Sequence, residues 1–175
     1  MTTVIVNRKD GKVYSDSRGT NTSISGVFNK KEEYTFSKVT KIFSVHKHII
    51  TGCGSLELLE EVVELFHTDK KLRDIFYFRS EYDIDYTEVL VNKRTLGHNH
   101  TVNYRLKPKN LPFNWVKVYV EREFLTEEVN VSIRGSGMQL AMGAMEQGAT
   151  PEEAIKIVAK HDMYTDDTIQ CYDFE

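Results

Sequence analysis

The sequence predicts an α+β chain in which helices stack on the outside of two β-sheets. Three observations predict it. β-Branched runs with turn signals between them fill the chain up to Thr51 and return from Thr87 to Arg134. Two amphipathic stretches, Leu56–His67 and Pro151 to about His161, each follow a capping residue. The order is strands, helices, strands, helices, which fits helices layered over two sheets.

Thr3–Arg8 (TVIVNR) is a β-branched run, and Asp10-Gly11 separates it from Lys12-Val13-Tyr14. Asp-Gly between two such runs signals a hairpin, because both central turn positions favour positive φ. The chain therefore starts as a sheet strand. The polar stretch from Tyr14 to Gly26, rich in Gly, Ser and Thr, reads as a long loop with Asp16 at its root. After the solvated cluster Lys30-Lys31-Glu32-Glu33, Val39–Val45 and His48–Thr51 read as a second hairpin around His46-Lys47, with Lys41 interrupting the first run.

Gly52-Cys53-Gly54-Ser55 punctuates the chain ahead of LELLEEVVELFH. There Leu56, Leu59, Val62, Val63 and Phe66 fall at helical spacing and Ser55 stands as N-cap. Lys70–Phe78 reads as a second, short helix. Strands are expected at Thr87–Val91, Thr101–Leu106, Trp115–Glu121 and Val129–Arg134, with Pro108 and Pro112 breaking the stretch between the second and third. Gly135-Ser136-Gly137 opens a helix whose Met138, Met142 and Met145 face is assigned to the core, and Gly148 takes the left-handed C′ position. Thr150-Pro151-Glu152-Glu153 is a capping box with proline at the first helical position. Thr168–Tyr172 is a last strand.

With 175 residues, 40% of them hydrophobic and 28% charged, the chain is sized for one domain spanning residues 1–175. The 23 Lys and Arg against 26 Asp and Glu leave a net charge of -3, which provides no electrostatic reason to expect nucleic acid or an anionic membrane. Cys53 and Cys171 lie far apart, and the start MTTVIVNRKDG has neither a basic n-region nor a long apolar stretch, so a cytoplasmic location is expected. No apolar run approaches the ~20 residues a membrane helix needs. No cofactor is expected. His98-Asn99-His100 offers two metal ligands, but with no third and fourth at a recognisable spacing no metal is expected either.

The chemistry points to the first residues. Once Met1 is trimmed, Thr2 carries a hydroxyl and a free amine on one residue, and the α-amine titrates near neutrality, at roughly 7.7–8.0. That pairing is a complete nucleophile and base. It needs a cation, an oxyanion donor and a strand to hold it.

Five stretches in one order supply candidates. These are Thr2-Thr3 with its strand and Asp10-Gly11 turn, Asp16-Ser17-Arg18-Gly19-Thr20, Val39-Thr40-Lys41-Ile42, Thr51-Gly52-Cys53-Gly54, and Arg134-Gly135-Ser136-Gly137 followed by Asp162-Met163-Tyr164-Thr165. With them the chain resembles the proteasome β subunit and HslV family of N-terminal-nucleophile hydrolases, from Thr2 to the last strand. The resemblance implies a four-layer αββα sandwich. It implies Thr2 as nucleophile, Lys41 beside its hydroxyl, Asp16 pairing with Lys41, and the Gly52 amide as oxyanion donor. Ser136, Asp162 and Thr165 match positions that orient the N-terminal amine. Thr20 and Gly54 match positions whose backbone pairs with an extended peptide, and Val39 and Ile50 match the first specificity pocket. A homo-oligomer, ring or dimer, is implied, and relatives in this family work with an ATP-driven unfoldase.

Each residue also has an ordinary role. Lys41 in a strand is commonly solvated, and here Val39 shares its face while Ile42 lies opposite, so alternation leaves it open. Asp16 and Thr20 can shape a turn, and Ser136 can cap a helix. Cys53 between two glycines reads as a small residue in a tight turn. Asp166-Asp167 stands where the family often has glycines, and an added carboxylate raises the pKa of a nearby amine. Three functional classes follow: a threonine-type peptidase, a catalytically silent assembly protein of the same fold, and an amidase acting on a small substrate.

Overall fold

The computed structural model describes residues 2–25, 31–68, 75–80, 84–125 and 130–174. Among these described residues, twelve strands and three helices follow one another as β1 (Thr3–Asn7), β2 (Lys12–Asp16), β3 (Arg18–Ser25), β4 (Lys31–Lys38), β5 (Ile42–Val45), β6 (His48–Cys53), α1 (Leu56–His67), β7 (Ile75–Arg79), β8 (Thr87–Thr95), β9 (His98–Leu111), β10 (Trp115–Leu125), β11 (Val131–Gly135), α2 (Met138–Glu146), α3 (Pro151–Ala159) and β12 (Ile169–Asp173). One sheet has the order β11-β1-β2-β12, a second has β5-β6-β8-β9-β10-β7, and β3 and β4 pair as a separate ribbon. All the ladders are antiparallel. No helix among the described residues is long and apolar enough to cross a membrane.

Three apolar clusters hold these elements together. Val4, Val6 and Val13 meet Ile42, Ile49 and Leu90 between the two sheets. Val45, Ile50, Val89, Leu106, Val116 and Val118 pack under Leu58, Leu59, Val62 and Val63 of α1. Ile5, Tyr14 and Ile133 pack under Ala141 of α2 and Ala154, Ile155 and Val158 of α3. This explains the unbroken apolar run at the start: β1 is buried on both faces, so alternate residues enter different cores. Burying such a side chain contributes roughly 1.5–3 kcal/mol.

Local signals set the helix ends. The Ser55 side chain accepts from the Leu58 amide at the start of α1, and Thr150 and Glu153 form the reciprocal capping box of α3. Gly148 has φ 97°, as a left-handed C′ residue requires. Removing the Thr150 cap leaves orphan amides in the first turn, so Thr150→Ala is expected to cost about 1 kcal/mol. Thermal denaturation would show this as a fall of about 2–4 °C in Tm.

Several expectations need correction. Ile75–Arg79, read as part of a short helix, is a strand paired to β10, and residues 69–74 of that stretch lie outside the described set. Its Ile-Phe-Tyr-Phe run is the aromatic, β-branched composition that strands prefer. The polar stretch after Tyr14 is not a loop: β2 runs to Asp16, and Arg18–Ser25 pairs with Lys31–Lys38. The expected charge cluster at Lys30–Glu33 therefore enters this ribbon, although Lys30 itself lies outside the described residues. Lys41 is not inside a strand, since β5 begins one residue later. Pro108 sits within β9, while Pro112 begins the 3-10 turn that joins β9 to β10. The first turn is longer than a two-residue hairpin and is braced by Asn7, whose amide donates to Asp10 at 2.6 Å. Met142 is exposed, because the apolar stripe of α2 runs through Met138, Ala141, Ala144 and Met145.

Candidate active site

Strand direction brings the candidate residues to one end of the sandwich. The start of β1, the ends of β2, β6 and β11, and the starts of β5 and β12 all meet there, as the pairings Thr3↔Gly135, Ile169↔Asp16 and Ile42↔Thr51 require. Thr2 precedes β1, Asp16 closes β2, Lys41 precedes β5, and Gly52 follows the last β5–β6 pair. Residues far apart in sequence thus become neighbours.

Thr2, Asp16 and Lys41 form a buried constellation, at 3%, 0% and 5% exposure. The Lys41 ammonium donates to Thr2 Oγ1 at 2.5 Å and to Asp16 Oδ2 at 2.9 Å. The Thr2 hydroxyl donates to Asp16 Oδ1. Asp16 also accepts the amides of Thr3 and Arg18, both at 2.9 Å, and more distantly that of Asp166 at 3.4 Å. Three backbone donors and one ammonium satisfy the oxygens of a carboxylate that burial has removed from water. Burial holds the Lys41 ammonium below the ordinary lysine range, and the charge of Asp16 opposes that shift without cancelling it.

A second set of bonds fixes the chain around Thr2. The Ser136 amide donates to the Thr2 carbonyl at 3.0 Å. Gly135 makes that approach possible: its φ is 101°, and a Cβ there would run into the Thr2 carbonyl. The Ser136 and Thr165 hydroxyls both donate to Asp162 Oδ2, at 2.5 and 2.8 Å, and the Thr165 and Thr3 hydroxyls lie 2.9 Å apart. Ser136, Asp162 and Thr165 therefore form one network that reaches β1 through Thr3.

Gly52 sits where β5 has run out, next to Lys41, whose carbonyl accepts the Thr51 hydroxyl at 2.8 Å. A Cβ at Gly52 would approach the Glu88 carbonyl to 2.6 Å, so the strand can pass β8 this closely only as glycine. Among the proposed substrate contacts, Val39 lies in the irregular stretch before Lys41, and its amide donates to the Ser17 carbonyl at 2.7 Å. Thr20 is half-buried in β3, and its hydroxyl oxygen has no hydrogen-bond partner among the described residues. Gly54 has φ 114° and follows β6. Ile50 is fully buried in the cluster beneath α1.

One residue of this site was not singled out from sequence. Gln170 of β12 accepts the Lys41 amide at 3.0 Å and donates to the Val39 carbonyl at 2.7 Å, clamping the irregular stretch that carries Lys41. A glutamine in a last strand carries no sequence signal for this role. Gln170→Ala is expected to lower kcat several-fold and leave KM nearly unchanged, which steady-state kinetics would show. Asp166 accepts the Ser17 amide at 2.9 Å and the Ser17 hydroxyl at 3.0 Å, and its charge favours the Lys41 ammonium. Cys53 is set apart chemically: burial pushes its thiol up to about 12, so at neutral pH it is protonated and a poor nucleophile.

No protein-family model matches the chain, and no curated protein matches it in sequence. Among solved structures, the chain is similar to BPH of Thiobacillus denitrificans, determined in complex with epoxomicin. The TM-score is 0.55 at 13% identity, and the likeness covers 99% of both chains. Antiparallel sheets with few helices, matched along their whole length, make this a proteasome-like fold.

Proposed function

We propose that the protein is a threonine-type peptidase that cleaves peptide bonds with Thr2 after removal of Met1, a residue outside the described set. The observation that carries this reading is the placement of Thr2 Oγ1 against both Lys41 Nζ and the Asp16 carboxylate in a buried site. A threonine that served only as a strand residue would not need a buried ion pair on its hydroxyl. The layering is read as αββα, with α1 on one outer face and α2 and α3 on the other.

In this mechanism the free Thr2 amine accepts the hydroxyl proton as Oγ1 bonds to the scissile carbonyl carbon. The Lys41 charge stabilises the developing alkoxide, and the carbonyl π electrons move onto oxygen, where the Gly52 amide donates. Collapse breaks the C–N bond, and the departing amine takes the proton back from the Thr2 ammonium. Water, deprotonated by the same amine, then hydrolyses the ester on Oγ1. Asp16 keeps Lys41 protonated and aimed, while Ser136, Asp162 and Thr165 hold the amine. Thr20 and Gly54 are assigned to backbone pairing with an extended peptide. Val39 and Ile50 are assigned to an apolar pocket for the residue before the cleaved bond.

The test is intact mass spectrometry with an epoxyketone such as epoxomicin, the compound bound by the structural neighbour. Its ring adduct requires both the free amine and the hydroxyl. A mass without Met1, raised by one adduct and unchanged in Thr2→Ala, is the expected result. Retention of Met1 with no adduct would instead assign the chain to a silent assembly role. An adduct without turnover of fluorogenic peptides bearing apolar residues before the leaving group would point to an amidase on a small substrate.

A further inference from the structure

Beside their shared apolar core the two sheets turn a polar layer toward each other. On β1 alternate residues enter that space: Val4 and Val6 belong to the core between the sheets, and Arg8 continues the same face just past the strand. Ser132 and Arg134 of β11 share it, since Ile133 between them packs under α2 and α3. From the larger sheet Leu90 enters the same core. That places Glu88 on the same face of β8 and, by register, Asn103 and Arg105 on the same face of β9. Arg134 Nε meets Glu88 Oε2 at 3.1 Å, which ties one sheet to the other.

Charge around this contact almost balances. Glu88 serves Arg134 and, at 3.4 Å, Arg105; Glu123 meets Arg105 at 2.6 Å, and Glu121 meets Lys107 at 2.5 Å. Arg8 is the cation left over. It is 5% exposed, and its side chain has one partner among the described residues, Ser132, whose hydroxyl oxygen accepts from Nη2 at 3.1 Å. Nε and Nη1 are buried without a hydrogen-bond partner among those residues. The Nε–H and both N–H groups of Nη1 are therefore unused. Burial and the charge of Arg134 both lower the pKa of Arg8, yet a guanidinium keeps its proton in proteins, so the positive charge remains.

A lone ion taken out of water is costly, and water alone cannot neutralise it. The groups nearest Arg8 are neutral. Asn99 donates its side-chain amide to the Arg8 carbonyl at 2.6 Å, and Oδ1 of Asn99 and of Asn103 are buried without partners among the described residues. Such acceptors suit water molecules that complete the shell of a bound ion. Solvent is close: Lys9 and Asp10, the next two residues, are exposed, as is His98 beside Asn99.

We infer that Arg8, with Ser132 and Asn99 around it, is the binding site of a small monovalent anion, a halide or a compact oxyanion such as nitrate. The single unmatched charge sets the valence. A monoanion closes the balance of the layer, whereas a dianion would leave a buried negative charge in its place. Thr2 lies six residues away at the other end of β1, about 20 Å along the strand. The anion is thus a structural ligand that fastens the end of β1 to β11 and β9. It takes no part in peptide cleavage, and the inference stands or falls independently of the peptidase reading.

Thermal denaturation of the full chain in sodium chloride, nitrate, sulfate and gluconate at equal ionic strength tests it, together with the line width of the chloride NMR signal. General salt effects favour sulfate, which is excluded from protein surfaces. The site requires the reverse, with chloride and nitrate ahead of sulfate and gluconate. At about a hundredfold excess over Kd, chloride or nitrate should raise Tm by about 5–10 °C relative to gluconate. The chloride line should broaden with the wild type and sharpen again as nitrate competes. Arg8→Met should abolish both responses, and Arg8→Lys, which keeps the charge with fewer donors, should weaken them. If Arg8→Met does not fold, the wild-type line width and its competition by nitrate decide. Stabilisation by sulfate first, with no chloride broadening, would overturn the inference, because water or the chain's own carboxylates would then satisfy Arg8. So would an anion response that survives unchanged in Arg8→Met.

Discussion

Thr2→Ala is expected to abolish peptide turnover and epoxyketone labelling while leaving the circular dichroism spectrum and the melting temperature close to those of the wild type. Removal of a catalytic nucleophile typically costs roughly 10⁴-fold or more in kcat, and here no neighbour substitutes for it, because Cys53 is protonated at neutral pH. Lys41→Ala should fall nearly as far. Its ammonium is the cation on Thr2 Oγ1, and water cannot replace it in a site of 5% exposure or less. Thr2→Ala separates chemistry from packing, whereas Lys41→Ala also strands the buried Asp16 carboxylate and should lower the melting temperature as well. The pH profile carries the same argument. Burial lowers the Lys41 pKa from 10.5, so the folded protein releases this proton at a lower pH than a free lysine does. Activity that depends on the ammonium should therefore decline on the alkaline side before pH 10.5, as the pH passes the lowered value. Folding stability moves the other way, since a group that prefers to be neutral when folded costs less as the pH rises through that window. Initial rates and melting temperatures across the alkaline range should diverge accordingly.

Much of this candidate site was legible through the order of five short stretches, since each of its residues alone has an ordinary role. A threonine pair at the start of a strand, a buried-strand pattern and glycine turns ahead of helices identify positions where side-chain identity or backbone approach is constrained, and Gly52 and Gly135 are held to glycine by neighbouring carbonyls. What failed was reading polarity as loop. Thr20, Thr22 and Ile24 alternate within the stretch taken as irregular, a period-two pattern of β-branched residues, and that stretch is β3. The strand at Ile75–Arg79 was missed because a lysine- and arginine-rich lead-in outweighed its aromatic composition. Gln170 could not have been found by any pattern. Its role depends on β12 lying beside β2, which brings its amide to the backbone of Val39 and Lys41 across more than half the chain. Contacts of that kind are properties of the topology, and the sequence around either partner is silent about them.

Asp16→Asn should lose both activity and stability, and for one reason. The carboxylate is fully buried and accepts from Thr3, Arg18, Lys41 and Thr2 at once. The Thr3 amide goes to Oδ1 while the Arg18 amide and the Lys41 ammonium go to Oδ2, so an asparagine of the same shape keeps the donors on one side only and its amide nitrogen meets donors on the other. The Lys41 ammonium is left buried without an opposite charge, and breaking a buried pair in this way typically costs about 3–5 kcal/mol. For a chain of this length that corresponds to a fall in Tm of roughly 6–20 °C. Lys41 should partly escape the penalty by releasing its proton, which removes the charge that catalysis needs, so the stability loss should lessen at alkaline pH while the activity does not return. A double variant, Asp16→Asn with Lys41→Met, relieves the stranded charge and should recover much of the melting temperature while remaining inactive. Recovery of stability without activity would place the ion pair in the chemistry of Thr2. If the double variant melts as low as Asp16→Asn alone, the carboxylate acts mainly by tying β1 and β3 to β2 through the Thr3 and Arg18 amides.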